Sequence, residues 1–209
     1  RAKPPKGSDV WDQQLLAEAE QIFREALAIR MEVLGENHPD TYFSIYAIGS
    51  IEMDTGRYEQ AEQTMRRVLA FRERTLDPHN GYVLTSLNTV GVTLKRQQRH
   101  AEAAEMFAEA VRRTRAAGFD PEHPDLRMYR NNLIGELRKM DDQPRLREAY
   151  REYFEWLEQS LESDALKPPV DRARRASLLA WRIATCEIED LRDAPRAVAL
   201  ARQADEIAP

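Results

Sequence analysis

The strongest constraint on this chain is that residues 19–100 hold one pattern written twice. Ala19-Glu20-Gln21 with Phe23 and Leu27 returns 42 residues later as Ala61-Glu62-Gln63 with Met65 and Leu69. The next half keeps that offset: Ile45, Ile48 and Gly49 become Leu87, Val90 and Gly91, and Gly56-Arg57-Tyr58 becomes Gln98-Arg99-His100. A third copy sets Ala103, Phe107, Ala110 and Val111 42 residues beyond Ala61, Met65, Val68 and Leu69, while its glycine, Gly135, follows Gly91 by 44. A fixed period of about 20–50 residues marks stacked repeats, each burying its apolar face on the next. The chain is therefore read as an array of repeats and not as a closed bundle.

Within each copy the apolar spacing is helical. Leu15, Ala19, Ile22, Phe23, Ala26, Leu27 and Val33 recur at three and four, predicting a helix from Val10 to Leu34 that Gly35 ends. Asn37-His38-Pro39-Asp40 restarts a helix, with Asn or His near the cap and proline in the first turn, and Gly56 stops it. Further helices are expected from about Tyr58 to Leu76, to about Gln97, through the third copy to Met140, over Arg145–Leu161, and over about Arg172–Glu189 and Ala194–Ile207. Four segments follow: a disordered lead-in over 1–9, a regular array over 10–140, a degenerate aromatic helix (Tyr150, Tyr153, Phe154, Trp156) over 141–166, and a last repeat over 167–209, opened by the break Lys167-Pro168-Pro169. Because the first helix lacks the partner that precedes the equivalent helix in later copies, it is expected to expose an open end.

Composition narrows the function classes. Net charge is −5, and acidic and basic residues interleave, whereas nucleic-acid binding needs a basic stripe. Among the 31 basic residues only Lys3, Lys6, Lys95, Lys139 and Lys167 are lysine, which reads as the coding bias of a GC-rich genome. No apolar run approaches the roughly 20 residues of a membrane span. A single cysteine, Cys186, points to packing on a helix and to a reducing, cytoplasmic compartment. His38, His79 and His123 fall in equivalent loops and His100 at a helix start, so they read as caps and not as a metal cluster. No phosphate loop, His-Glu-x-x-His or Gly-x-Ser-x-Gly is present, so neither enzyme activity nor a cofactor is expected of this segment.

The run Ala19-Glu20, Phe23, Ala26-Leu27, Ile29, Leu34-Gly35, His38-Pro39-Asp40-Thr41 and Gly56-Arg57-Tyr58 resembles the long tetratricopeptide repeats of the kinesin light chain type. The resemblance implies an all-α superhelix, an α-solenoid of about nine antiparallel helices, whose A helices line a concave groove that binds a protein or peptide. Ala180-Trp181, Ala184-Thr185-Cys186, Leu191-Arg192-Asp193, Ala197-Val198, Leu200-Ala201, Ala204 and Pro209 resemble the repeats found behind bacterial, planctomycete-like serine/threonine protein kinase domains. That second resemblance implies a regulatory region of a larger signalling protein, with a kinase domain upstream.

If Gly49, Gly91 and Gly135 face a neighbouring helix, the residues three before and four after them turn to the groove. Those are Tyr46 and Met53, Asn88 and Lys95, and Asn132 and Lys139, the expected partner-binding residues. Asparagine can grip peptide amides and lysine attracts carboxylates. A solvated polar face explains the same pattern, and self-association through the open end or the aromatic helix is the alternative function.

Overall fold

The computed structural model describes residues 9–163 and 168–208, with side chains from residue 13 onward. The expected lead-in, Arg1–Ser8, and Lys167 of the proline break lie outside the described residues. The protein is all-helical, with nine α-helices among the described residues: α1 (Asp9–Val33), α2 (Pro39–Asp54), α3 (Tyr58–Thr75), α4 (Gly81–Arg96), α5 (His100–Ala116), α6 (Pro124–Lys139), α7 (Gln143–Ser163), α8 (Pro169–Ala184) and α9 (Ala194–Ile207). They form two compact units, one up to Ala117 and one from Gly118, and inside each unit every helix packs on the next in sequence.

Local chemistry sets the helix ends. His38 and His123 cap α2 and α6 through Nδ1, accepting from the amides of Asp40 (3.1 Å) and Asp125 (3.3 Å), and proline follows each. The third such loop departs from the expected pattern, because Asn80, not His79, caps α4 by accepting from the Tyr82 amide at 2.9 Å. The His79 ring instead lies 3.0 Å from the Arg113 carbonyl oxygen. The stops of α2, α4 and α6 share a left-handed residue, Gly56 (φ 77), then Gln98 (φ 60), then Asp141 (φ 53). The backbone device survives the loss of its glycine, although a side chain there costs about 1–2 kcal/mol.

Burial follows the repeat. Ala61, Val68, Ala103, Phe107 and Ala110 are fully buried, and all but Phe107 are small. Gly49 and Gly91 occur in mid-helix because there is no room for a side chain: a Cβ on Gly49 would come within 2.9 Å of Met65 and Thr64, and one on Gly91 within 2.6 Å of Phe107. Gly135 does not share that reason, since nothing lies within 4 Å of its Cβ position. Polar straps also repeat at the 42-residue offset. Arg30 Nη1 donates to Ser44 Oγ (2.6 Å) and the Asp40 carbonyl (3.2 Å), and Arg72 Nη1 donates to Ser86 Oγ (2.7 Å) and the Tyr82 carbonyl (3.1 Å). Glu20 pairs with Arg57, and Glu62 with Arg99.

In the second unit Tyr153, Phe154, Leu157 and Leu161 of α7 are buried, while Ala173, Ala176 and Ala204 close α8 on α9. α8 ends at Ala184, five residues before the expected Glu189, with Thr185 as its C-cap. Cys186 therefore sits beyond the helix, not on it; it is buried, and that burial raises its thiol pKa.

Candidate functional site

In the first unit three helix segments enclose a cavity of about 540 Å³. The first two turns of α2 supply Tyr42, Phe43 and Tyr46, the end of α3 supplies Phe71 and Arg72, and the start of α4 supplies Tyr82. Tyr42 stacks on Phe71 with ring centroids 3.6 Å apart, joining the Ile45 and Val68 core. The Arg72 guanidinium sits 5.0 Å from the Tyr46 ring centroid and 5.3 Å from that of Tyr82. A cation over the face of an aromatic ring is attracted by the ring's quadrupole.

Arg30 makes the same strap one copy earlier, so the Arg72 bonds to Ser86 and the Tyr82 carbonyl belong to the scaffold. The two tyrosine rings are particular to Arg72. Burial lowers its pKa, the tyrosines oppose that shift, and no carboxylate among the described residues pairs with it. An arginine stays charged under such conditions. The cavity thus joins aromatic walls, including the exposed ring of Tyr82, to a cation without a counter-ion. Its size suits a bulky side chain or a short peptide segment.

The predicted partner-binding residues do not form one cluster. Tyr46 lines the cavity. Met53 is half-buried with its sulfur 2.9 Å from the Thr93 hydroxyl of α4, so it packs between α2 and α4. Asn88 is 8% exposed, part of the packed interior and not an open grip on a peptide. Lys95 and Asn132 are half-buried and engaged by neighbours. Lys139 is bonded at 3.0 Å to Glu136, a fully buried carboxylate whose charge it offsets. Asn132 and Lys139 both belong to the second unit.

Sequence reasoning missed Phe43, Phe71, Arg72 and Tyr82. A signal was there. At the 42-residue offset Tyr82 replaces Asp40 and Phe71 replaces Ile29, so these two walls come from positions where the copies differ, whereas Arg72 repeats Arg30. Among the described residues no three His, Cys, Asp or Glu side chains gather to hold a metal, and no helix is long and apolar enough to cross a membrane.

Residues 7–40 and 42–116 each match a family model described as tetratricopeptide repeat. This is a tetratricopeptide repeat protein. Among curated proteins, fem-1 homolog C of Bos taurus is 30% identical over 73 residues, which are 35% of this chain and 12% of that protein. The mitochondrial tetratricopeptide repeat protein 19 of Homo sapiens is 26% identical over 99 residues, 47% of this chain and 25% of that protein. The chain thus spans a quarter or less of the length of these relatives. Among solved structures, the nearly identical TPR-like repeats of a Podosopora anserina putative kinesin light chain align with a TM-score of 0.56 at 20% identity, covering 92% of this chain and 89% of that one. BtubC (BKLC) of P. vanneervenii aligns at 0.53 with 18% identity, covering 94% and 75%. At such identities these structures share the fold of the tetratricopeptide array and carry no function across.

Proposed function

We propose that this tetratricopeptide protein is an interaction scaffold whose first unit binds a peptide of a protein partner across the α2 and α4 faces. The observation that carries the reading is the aromatic cavity with Arg72 at its wall. A peptide placing an aromatic or long aliphatic side chain among Tyr42, Tyr46 and Tyr82, and an acidic residue against Arg72, satisfies both halves of the site. Tyr46 is the predicted residue that this reading retains at its centre; Met53, Asn88 and Lys95 lie along the same helices as scaffold. Selection from a random peptide display library tests it. Sequences enriched on the wild type are expected to pair an aromatic with an acidic residue, and Tyr46→Ser with Tyr82→Ser is expected to abolish the enrichment. The same sequences enriched on the double variant would refute the assignment.

The likeness of Ala180–Pro209 to repeats that stand behind bacterial serine/threonine kinase domains supports a signalling setting in a larger cytoplasmic protein. The alternative, self-assembly, draws on the outer face of α1, where Leu15, Ile22, Ile29 and Val33 are 59%, 64%, 63% and 71% exposed. Glu18, Glu25 and Glu32 run beside that stripe at a seven-residue spacing. Two copies laid antiparallel along it oppose those carboxylates, which disfavours self-pairing. The mass from light scattering is expected to stay monomeric across a concentration series, and a rising mass would favour the alternative.

A further inference from the structure

The second unit holds a small cleft, about 170 Å³, lined by Arg130, Asn131, Ile134 and Arg138 of α6, Tyr150 and Tyr153 of α7, and Arg182 of α8. Three guanidinium groups meet there, and among the described residues no carboxylate lines it. Two of them have partners. Arg130, 5% exposed, donates to the Pro121 carbonyl (3.2 Å) and Glu122 (3.4 Å), and Glu122 also accepts from the Tyr153 hydroxyl. Arg138 donates to Glu187 (2.7 Å) and to the Tyr150 hydroxyl (3.0 Å), which in turn donates to Glu187.

Arg182 has no such partner among the described residues. Its guanidinium lies 6.0 Å from the Tyr153 ring centroid, a ring that also carries Arg130 at 3.5 Å, and 5.1 Å from the Trp181 ring. Its Nε is buried and donates to no acceptor among the described residues. Glu122 offsets the charge of Arg130, so among the described residues lining the cleft the charge left without a carboxylate is that of Arg182, and an anion there would offset it. Burial first, and the charge of Arg182 in lesser part, push the Arg130 pKa down.

We propose that this cleft binds an oxyanion of the phosphate class, with the planar fork of Arg182 as its main donor and Asn131 and Arg138 at its flanks. The guanidinium fork matches the oxygen spacing of phosphate. The volume equals roughly five or six waters at about 30 Å³ each, enough for one phosphate group. The group arrives either as the free ion or on a phosphorylated side chain of a partner. This inference is independent of the peptide cavity in the first unit.

Titration calorimetry of the whole chain with inorganic phosphate, against chloride at matched ionic strength, tests it. The wild type is expected to bind phosphate, and Arg182→Gln to weaken that binding about tenfold or more, as loss of a charged bidentate contact does. Arg182→Lys keeps the charge without the fork and is expected to fall between the two, which guards against a glutamine variant that fails to fold. Absence of phosphate binding beyond the chloride control, or equal affinity in wild type and both variants, overturns the proposal. A phosphoserine peptide that displaces phosphate identifies the protein-borne source, and one that cannot displace it identifies the free ion; the site stands in either case.

Discussion

Gly91 and Gly135 occupy the same place in successive copies of one repeat, yet only Gly91 is needed there. Phe107 of α5 presses on Gly91, whereas the site of a Cβ on Gly135 is open. The copies therefore keep a sequence feature longer than they keep its cause. The first unit is tightly periodic, with close helix crossings and repeating polar straps. The second keeps the outline of the repeat while its packing is rebuilt around the aromatic residues of α7.

The sharpest way to break this comparison is Gly91→Ala, expected to destabilise the chain by about 1–3 kcal/mol because a ring cannot yield as a flexible chain end does. A thermal melt would show it, and an unchanged melting temperature would contradict the close approach. Gly49→Ala meets the movable end of Met65 along with Thr64, so its cost is expected to be smaller. Gly135→Ala should reverse the sign, stabilising by about 0.5–1 kcal/mol because the helix gains and nothing clashes. Next, Gln98→Gly relieves a left-handed side chain at the α4 stop, and denaturant midpoints are expected to rise by a few tenths to about 1 kcal/mol in stability.

The smallest expected effect is electrostatic. A hydrogen bond from Arg57 is the main force holding the Glu20 carboxyl below its ordinary value near 4.5, against the opposing effect of burial. A carboxyl with a depressed folded pKa contributes stability that is present above the unfolded value and is lost as pH falls through the folded one. Acid unfolding below about pH 4.5 should accordingly be less steep in Arg57→Met than in the wild type. The third copy has Ala104 where the others have Glu20 and Glu62, so it holds no equivalent carboxylate.

Much of the fold was legible because the repeat states it several times. The helices α1 to α6 and the His-Pro-Asp starts of α2 and α6 follow from residues that recur in register, whereas the left-handed stops of α4 and α6 keep their place without the glycine that marks it after α2. The later boundaries were harder to read. Beyond Met140 no second copy disciplines the reading, and the end of α8 at Ala184 is set by a turn whose residues carry no breaker signal. The cavity was half legible. Tyr46 followed from its place opposite Gly49, but Arg72 and Tyr82 come from different helices, and only the packed chain brings their side chains together. Asn88 came from the same rule, three residues before Gly91, but its side chain is buried in the packed interior.

The straps of the first unit have a consequence for how such a chain changes length. Arg30 reaches Ser44 and Arg72 reaches Ser86, each 14 residues onward; Glu20 reaches Arg57 and Glu62 reaches Arg99, each 37 onward. These bonds are specified by interval rather than by address. Slippage during replication that adds or drops one whole copy between the first two leaves these two intervals intact at the seam, so the straps they carry find their partners again. A change of any other length breaks whichever of these intervals it falls within.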